Sequence, residues 1–235
     1  YNMNIFDLIM DYDIDWCNIM GYFNPYEDPF EHQLTDNIPI YDKLAYKQYP
    51  KYNFVYDKLF IANSQGLMAG KLDNIQMDNV NTFKNIKFPI FIKPRWGHKS
   101  SSSKGCIKIE DRDELLYYKD YKNMMWSEFI DAKEGMTDYV LHNGKIMHQI
   151  TYKYSDKQKG FTDVWKYISP DNKPPYNVTE WVNKYFMNYT GIVNAQYRNN
   201  IIIEISLRCA RGGAYINSTK NKALIENINN LIDND

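Results

Sequence analysis

Residues 192–213, reading IVNAQYRNNIIIEISLRCARGG, hold the pattern with the clearest chemical content. Apolar side chains fall at Val193, Ala195 and Tyr197, and again at Ile201, Ile203, Ile205 and Leu207. Between them stand Asn194, Gln196, Glu204 and Ser206. Side chains alternate faces along a strand, so each stretch has one apolar and one polar face. A hairpin closed by a three-residue loop, Arg198-Asn199-Asn200, puts Asn194, Gln196, Glu204 and Ser206 on one face. Gln196 and Glu204 are then diagonal neighbours, about 7–8 Å apart. A carboxylate and an amide oxygen that converge in this way suit a hard cation such as Mg2+. A sheet with one solvated face accounts for the same alternation.

Two other segments carry chemistry. A short strand, Pro89–Lys93, delivers a lysine and ends at Pro94. The loop 97–105 follows, with serine at Ser100, Ser101, Ser102 and Ser103 between Gly97 and Gly105. Such a loop lets backbone N–H groups approach phosphate oxygens while the lysine supplies charge. No GxxxxGK[ST] motif occurs, and a mobile hairpin tip has the same composition. Trp126–Ile130 reads as a strand running into a linker that holds Glu134 and Asp138. Its backbone groups could meet an adenine edge; a domain connection with solvated carboxylates reads the same way.

The elements that must position these residues follow from periodicity and turn residues. Asp57–Gly66 reads as a helix capped by Asp57 and stopped by Gly66. Cys106–Ile109 is a strand, and 111–121 favours helix. Asp138–Leu141 and Lys145–Tyr152 form a hairpin about Asn143-Gly144. Residues 155–177 read as loop, 178–189 as helix, 192–197 and 201–207 as strands, and 222–232 as a final helix. Hairpins mixed with helices predict an α+β fold with mainly antiparallel sheets. Residues 1–55 are the least regular part, since Pro25, Pro29, Pro39 and Pro50 exclude long helices there. A four-residue repeat, Tyr41-Asp42-Lys43-Leu44 and Tyr56-Asp57-Lys58-Leu59, has no longer period around it.

Composition narrows the function classes. The 235 residues are 44% hydrophobic and 24% charged, which is globular rather than disordered. Lys and Arg total 28 against 29 Asp and Glu, so general electrostatic binding to nucleic acid or an anionic membrane is not expected. No apolar run is long enough to span a bilayer, and no charged-then-apolar leader opens the sequence. The chain begins at Tyr1, so a trimmed N-terminus is expected. Cys17, Cys106 and Cys209 are far apart and no CxxC pair exists, which fits a reducing, cytoplasmic compartment and no structural zinc. His98 and His142 read as loop residues, and Cys106 and Cys209 as small buried hydrophobes.

In this order, the segments resemble the ATP-grasp superfamily of carboxylate–amine and carboxylate–thiol ligases. Phe88–Pro94 resembles its PxxxKP strand, Gly97–Gly105 its phosphate loop, and Trp126–Asp138 its EEFIxGxExSxD hinge. Asn194–Gly213 resembles VQFxxxxxxxIEINPRxxGG, and Asp57–Leu67 resembles the DKxxxxxxxxxxGxP helix. The resemblance covers about residues 56–220. It implies a small subdomain over 56–126 and a large one over 127–235, with nucleotide between them, after a reduced N-terminal region over 1–55.

The resemblance also assigns roles. Lys93 and Lys58 would contact phosphates, with Lys43 the second choice from the repeat. Gly97, Ser101, Ser102 and Ser103 would cover the phosphates. Glu128, Phe129 and Ile130 would meet adenine, and Glu134 the ribose hydroxyls. Gln196, Glu204 and Ser206 would address Mg2+. Arg208, with Lys93, would serve catalysis at the transferred phosphoryl group. Arg211, Gly212 and Gly213 would lie near the second substrate.

The implied reaction uses ATP and Mg2+ to phosphorylate a small-molecule or peptide carboxylate, and an amine or thiol then attacks the acyl-phosphate. A kinase acting on a hydroxyl would use the same fold. The chain departs from the family pattern at Ser206, where Asn is usual, and in the six-residue step from Glu128 to Glu134, where seven is commoner. Its N-terminal region is also short. These departures favour the alternative, a non-catalytic nucleotide-binding or structural protein; retention of Lys93, Glu204 and Arg208 favours the enzyme.

Overall fold

The computed structural model describes residues 34–75, 86–99, 105–118, 121–154, 165–167, 173–213, 216 and 221–234. They form two antiparallel sheets. The first contains β1 (Ala69–Lys71), β2 (Ile90–Pro94), β3 (Ile107–Ile109) and β4 (Met124–Glu128), in the order β1-β4-β2-β3. The second contains β5 (Glu134–His142), β6 (Lys145–Tyr154), β7 (Trp165–Tyr167), β8 (Gly191–Arg198) and β9 (Ile201–Ser206), in the order β7-β6-β5-β8-β9. Helices α1 (Asp42–Gln48), α2 (Lys58–Ser64), α3 (Arg112–Leu116), α4 (Tyr176–Tyr185) and α5 (Lys222–Asp233) complete the α+β architecture.

Alternation explains how the first sheet aims its lysine. Ile90 and Ile92 of β2 are fully buried with Ile109 and Leu115 in a core on one face. Phe91 and Lys93 therefore point to the other face, toward the second sheet. That sheet is covered on both sides. Tyr139, Leu141, Val193, Ala195, Tyr197 and Ile205 pack against α4 and the segment 45–61. Met136, Val140, Ile150, Tyr152 and Ile192 pack against Ile225 and Ile228 of α5.

Several expected elements are shifted. The predicted helix over 57–66 is α2, with Asp57 accepting a bond from the Leu59 N–H at 3.0 Å and Gly66 at φ 78°. The strand expected at 126–130 is β4, which ends at Glu128, so Phe129 and Ile130 lie beyond it. The helical stretch 111–121 shortens to α3. The segment read as irregular up to residue 55 is helical from Asp42 to Gln48 and turns as a 3-10 helix from Pro50 to Tyr56. Proline at the first position of that helix loses no intrahelical bond. Aromatic packing then holds the segment: Tyr52 stacks on Phe186 at 5.6 Å, and Ala45, Val55 and Tyr56 are buried in the core beneath the second sheet.

The two ends of the described chain are clipped together. Thr35 donates through N to Asn229 Oδ1 (2.8 Å) and through Oγ1 to Asp233 Oδ1 (2.7 Å), and Asn37 Nδ2 donates to the same Asp233 oxygen (2.8 Å). No helix among the described residues is long and apolar enough to cross a membrane. Cys106 and Cys209 are free thiols.

Candidate nucleotide and metal site

The polar face of the second sheet forms by a different route from the three-residue loop expected. The turn between β8 and β9 has two residues, Asn199 and Asn200, with Arg198 paired to Ile201. A bulge between Gln196 and Tyr197 then absorbs Ile203, so Gln196 lies directly opposite Glu204, and Asn194 opposite Ser206. The four polar residues share a face because the bulge adds the odd residue that the turn lacks. Asn199 supports the tight turn at φ 56°, a conformation that Asn tolerates.

The bulge also sets Lys93. Its Nζ donates to the carbonyl of Ile203, the bulged residue, at 3.0 Å. From the other side, Lys58 at the start of α2 reaches Glu204, Nζ to Oε1 3.2 Å, with the lysine side chain only 6% exposed. Lys58 is brought there because its N–H donates to the Arg95 carbonyl (2.9 Å) while Arg95 Nε donates to Asp57 Oδ1 (2.8 Å), which joins the end of β2 to the start of α2. Gln65 at the end of α2 holds edge strand β9, accepting from Ile202 N (2.7 Å) and donating to Ile202 O (2.9 Å). Lys43, the alternative from the repeat, is exposed. Gly97 is buried against this group: a Cβ placed on it would lie 3.4 Å from Glu204 Oε1.

Burial and then the neighbouring Lys58 ammonium push Lys93 down to about 8 from its ordinary 10.5, against the opposing pull of Glu204. Glu134 accepts from Arg198 NH2 at 3.3 Å, and burial raises its carboxyl above the usual range despite that arginine.

Arg208 is held by a residue from α1. Its Nε and NH2 donate to Asp42 Oδ2 at 2.9 and 2.8 Å, and NH1 donates to the Cys209 carbonyl at 2.9 Å. The other Asp42 oxygen accepts from Tyr56 OH at 3.2 Å, and that hydroxyl accepts from Leu207 N at 3.2 Å. Behind Arg208, Asp138 is fully buried and accepts from Tyr152 OH (2.9 Å), Asn194 Nδ2 (2.8 Å) and Ala210 N (3.1 Å). Burial raises it to about 6 against those bonds. The Ala210 bond fixes the start of the 3-10 turn Ala210–Gly213, in which Gly212 and Gly213 have φ 63° and 99°.

The hinge is partly committed within the protein. Glu128 accepts from Met68 N at 2.7 Å, its own N–H donates to Met68 O (3.0 Å), and Phe129 N donates to Pro89 O (3.4 Å). The Ile130 carbonyl accepts from Ala132 N at 3.1 Å. Ser101, Ser102 and Ser103 and the Arg211 side chain lie outside the described part of the structure.

The structure thus brings Lys58, Lys93, Gly97, Glu204 and Gln196 together, with Glu134 contributing electrostatically to Lys93 and Arg208 to Tyr56. Sequence reasoning missed Asp42 and Arg198. The tetrapeptide repeat held a signal for Asp42. Both of its copies start a helix, and in both the aspartate binds an arginine, Asp42 to Arg208 and Asp57 to Arg95. His98, read as a loop residue, lies in a 3-10 turn, Gly97–Lys99, and stacks on Tyr46 at 3.9 Å. Cys106 is half-buried, whereas Cys209 is fully buried.

The donor set fits one hard cation shared with a ligand, not a protein-only cage. Glu204 and Gln196 face each other, and Ser206 follows on the same face. Among the described residues no group of three or more His, Cys, Asp or Glu could hold a metal. Mg2+ bound through one carboxylate, phosphate oxygens and water needs no more than this.

The α+β arrangement of two antiparallel sheets is the ATP-grasp fold, which solved structures share. No protein-family model and no curated protein matches the chain. Solved structures do. An L-amino acid ligase from Bacillus licheniformis superposes with TM-score 0.51 at 16% identity over 81% of this chain. An N5-carboxyaminoimidazole synthetase from Staphylococcus aureus, solved with ADP, gives 0.52 at 17% identity over 73%. A carboxyaminoimidazole ribonucleotide synthase from Aspergillus clavatus, solved with ATP, gives 0.50 at 10% over 67%. The chain spans 52% of the length of each of the first two and 46% of the third.

Proposed function

We propose that this chain binds ATP between its two sheets and activates a carboxylate as an acyl-phosphate for attack by an amine or thiol. The convergence of Lys93 from β2, Lys58 from α2 and Glu204 from β9 carries the reading. Lys93 and Lys58 neutralise the phosphates. Glu204 and Gln196, with Ser206 beside them, hold Mg2+, which supplies charge stabilisation of the transferred phosphoryl group. Gly97 and the serines that follow it line the phosphates. Glu128 fixes the hinge on which Phe129 and Ile130 present backbone to adenine, and Glu134 stands at the ribose. Arg208 meets the γ-phosphate, and the turn with Arg211, Gly212 and Gly213 borders the second substrate. The substrates are small molecules or peptides, and the compartment is cytoplasmic.

That two of the matched structures were solved with ATP or ADP supports the nucleotide. The test is calorimetric titration of ATP with and without Mg2+, on the parent and on Glu204→Gln, followed by an assay of ADP release over a panel of carboxylates and amines. Parent binding that strengthens with Mg2+, and a Glu204→Gln variant that loses most of that gain, are expected. Absence of ATP binding overturns the proposal. Binding without ADP release on any acceptor favours a non-catalytic nucleotide-binding protein, the reading that Ser206 on the metal face supports.

A further inference from the structure

Three cations of this site arrive already matched to acids. Lys58 meets Glu204, Arg198 meets Glu134 and Arg208 meets Asp42. The last pair is built differently from the others. Asp42 takes two bonds from one guanidinium on a single oxygen, while its second oxygen is held by Tyr56 OH. Tyr56 is in turn fixed by the Leu207 N–H, so the segment that carries Arg208 also anchors the group that restrains its partner. Both side chains are largely withdrawn from water, Arg208 at 24% exposure and Asp42 at 18%. Asp42 itself is carried by α1, pinned through fully buried Ala45 and through Tyr46 on His98.

A guanidinium in two charge-assisted bonds to a carboxylate is a poor receptor for a further anion, because the carboxylate cancels its field. A phosphate brought to the remaining N–H groups of Arg208 also meets the Asp42 charge a few ångströms beyond. We infer that Asp42 is a specificity-determining residue of the nucleotide site: it holds Arg208 neutralised, so that a terminal γ-phosphate binds only at the cost of drawing the guanidinium away, whereas a diphosphate leaves the pair intact and bears no such cost. This rests on the reading of Arg208 as the γ-phosphate contact. The consequence is a preference for nucleoside triphosphate over diphosphate that is held down from outside the two sheets, by helix α1, which also packs on the segment after β2 through Tyr46 on His98.

The experiment compares calorimetric affinities for a non-hydrolysable ATP analogue, AMP-PNP, and for ADP, both with Mg2+, in the parent, Asp42→Asn and Asp42→Glu. Asp42→Asn keeps an acceptor for Arg208 and removes the charge. It is expected to bind AMP-PNP about tenfold more tightly with ADP changed less than twofold. Asp42→Glu restores the charge and returns the ratio toward the parent. In the unmutated protein, labelled with 15N at arginine and assigned by Arg208→Lys, the Arg208 Nε–H resonance is expected to move with AMP-PNP and to stay in place with ADP. That measurement decides the matter even where a variant fails to fold. An unchanged ratio in Asp42→Asn, a loss of both affinities, or an Arg208 signal that moves equally with both nucleotides overturns the inference while leaving nucleotide binding in place. Absence of binding by the parent to either nucleotide overturns the nucleotide site itself.

Discussion

A lysine whose ammonium meets a carbonyl instead of a carboxylate keeps its charge at a cost. Burial, and then the neighbouring Lys58 ammonium, lower Lys93 to about 8 while it still donates to Ile203. Phosphate oxygens favour the charged form, so nucleotide binding raises it again. Lys93 should therefore take up a proton on binding ATP above pH 8. Roughly half to one proton is expected at pH 8.5, read from calorimetry in two buffers of different ionisation enthalpy, and ATP affinity should weaken as pH rises through 8. Lys93→Arg should bind without the proton uptake, and Lys93→Ala should lose about 1.5–3 kcal/mol of binding with little change in melting. Asp138 has the opposite sign. Its folded value, about 6, is above the ordinary 3.8, so it favours the folded state below pH 4 and loses that contribution as pH rises through 6. Asp138→Asn leaves one of three donors without an acceptor and should cost about 1–3 kcal/mol at pH 7. Because the variant does not titrate there, its deficit against the parent should widen as pH is lowered from 7 to 5, measured by urea unfolding at both values.

Turns and bulges decide which residues meet at the scale of elements. Asn143 and Gly144 close the β5–β6 hairpin with φ 49° and 76°, the paired positive values that a two-residue turn of this hand requires. A Cβ on Gly144 would also lie 1.8 Å from the Met187 carbonyl oxygen. Gly144→Ala should thus cost roughly 2 kcal/mol or more, through backbone strain and a clash that backbone cannot easily yield to, measured by denaturant titration. This turn was legible in the sequence because Asn-Gly has few other uses between alternating strands. The β8–β9 connection was less so. Alternation gave the right face for Gln196 and Glu204, but a three-residue loop and a two-residue turn with a bulge produce the same alternation, and the isoleucines of 201–203 do not mark which one bulges. The acid that meets Arg208 was not legible either. The tetrapeptide repeat marked Asp42 as one of a pair of aspartates, but its arginine lies 166 residues away and no local pattern names that partner. The 3-10 run over 50–56 escaped notice because its stability comes from aromatic contacts to α4 and the residues after it, not from helical periodicity.

For the molecule as a whole, ligand between the sheets should add stability that its own contacts do not supply. ATP with Mg2+ at a hundred times its dissociation constant contributes about 2.7 kcal/mol, which raises the melting temperature of a domain this size by roughly 5–10 °C. Thermal scanning should show this shift in the parent and at most about half of it in Lys93→Ala at the same ATP concentration. The clip between Thr35, Asn37 and the C-terminal helix has a bearing on how such a chain comes to work at all. It spans 194 to 198 residues, and the bond from Arg208 to Asp42 spans 166. During synthesis the early helix emerges with nothing to pack on. The first sheet can pair its strands while the ribosome is still making the second, yet Asp42 of α1 waits for the segment after β9 before its arginine exists, and Thr35 and Asn37 wait for α5. Contacts this distant along the chain are slow to close and leave apolar surface uncovered until they do. The nascent protein is therefore exposed longest at Ala45, Val55 and Tyr56, the very residues that fix Asp42 beside its arginine, and a chain cut short before β9 would carry an assembled first sheet with neither Glu204 nor Arg208 to complete the site.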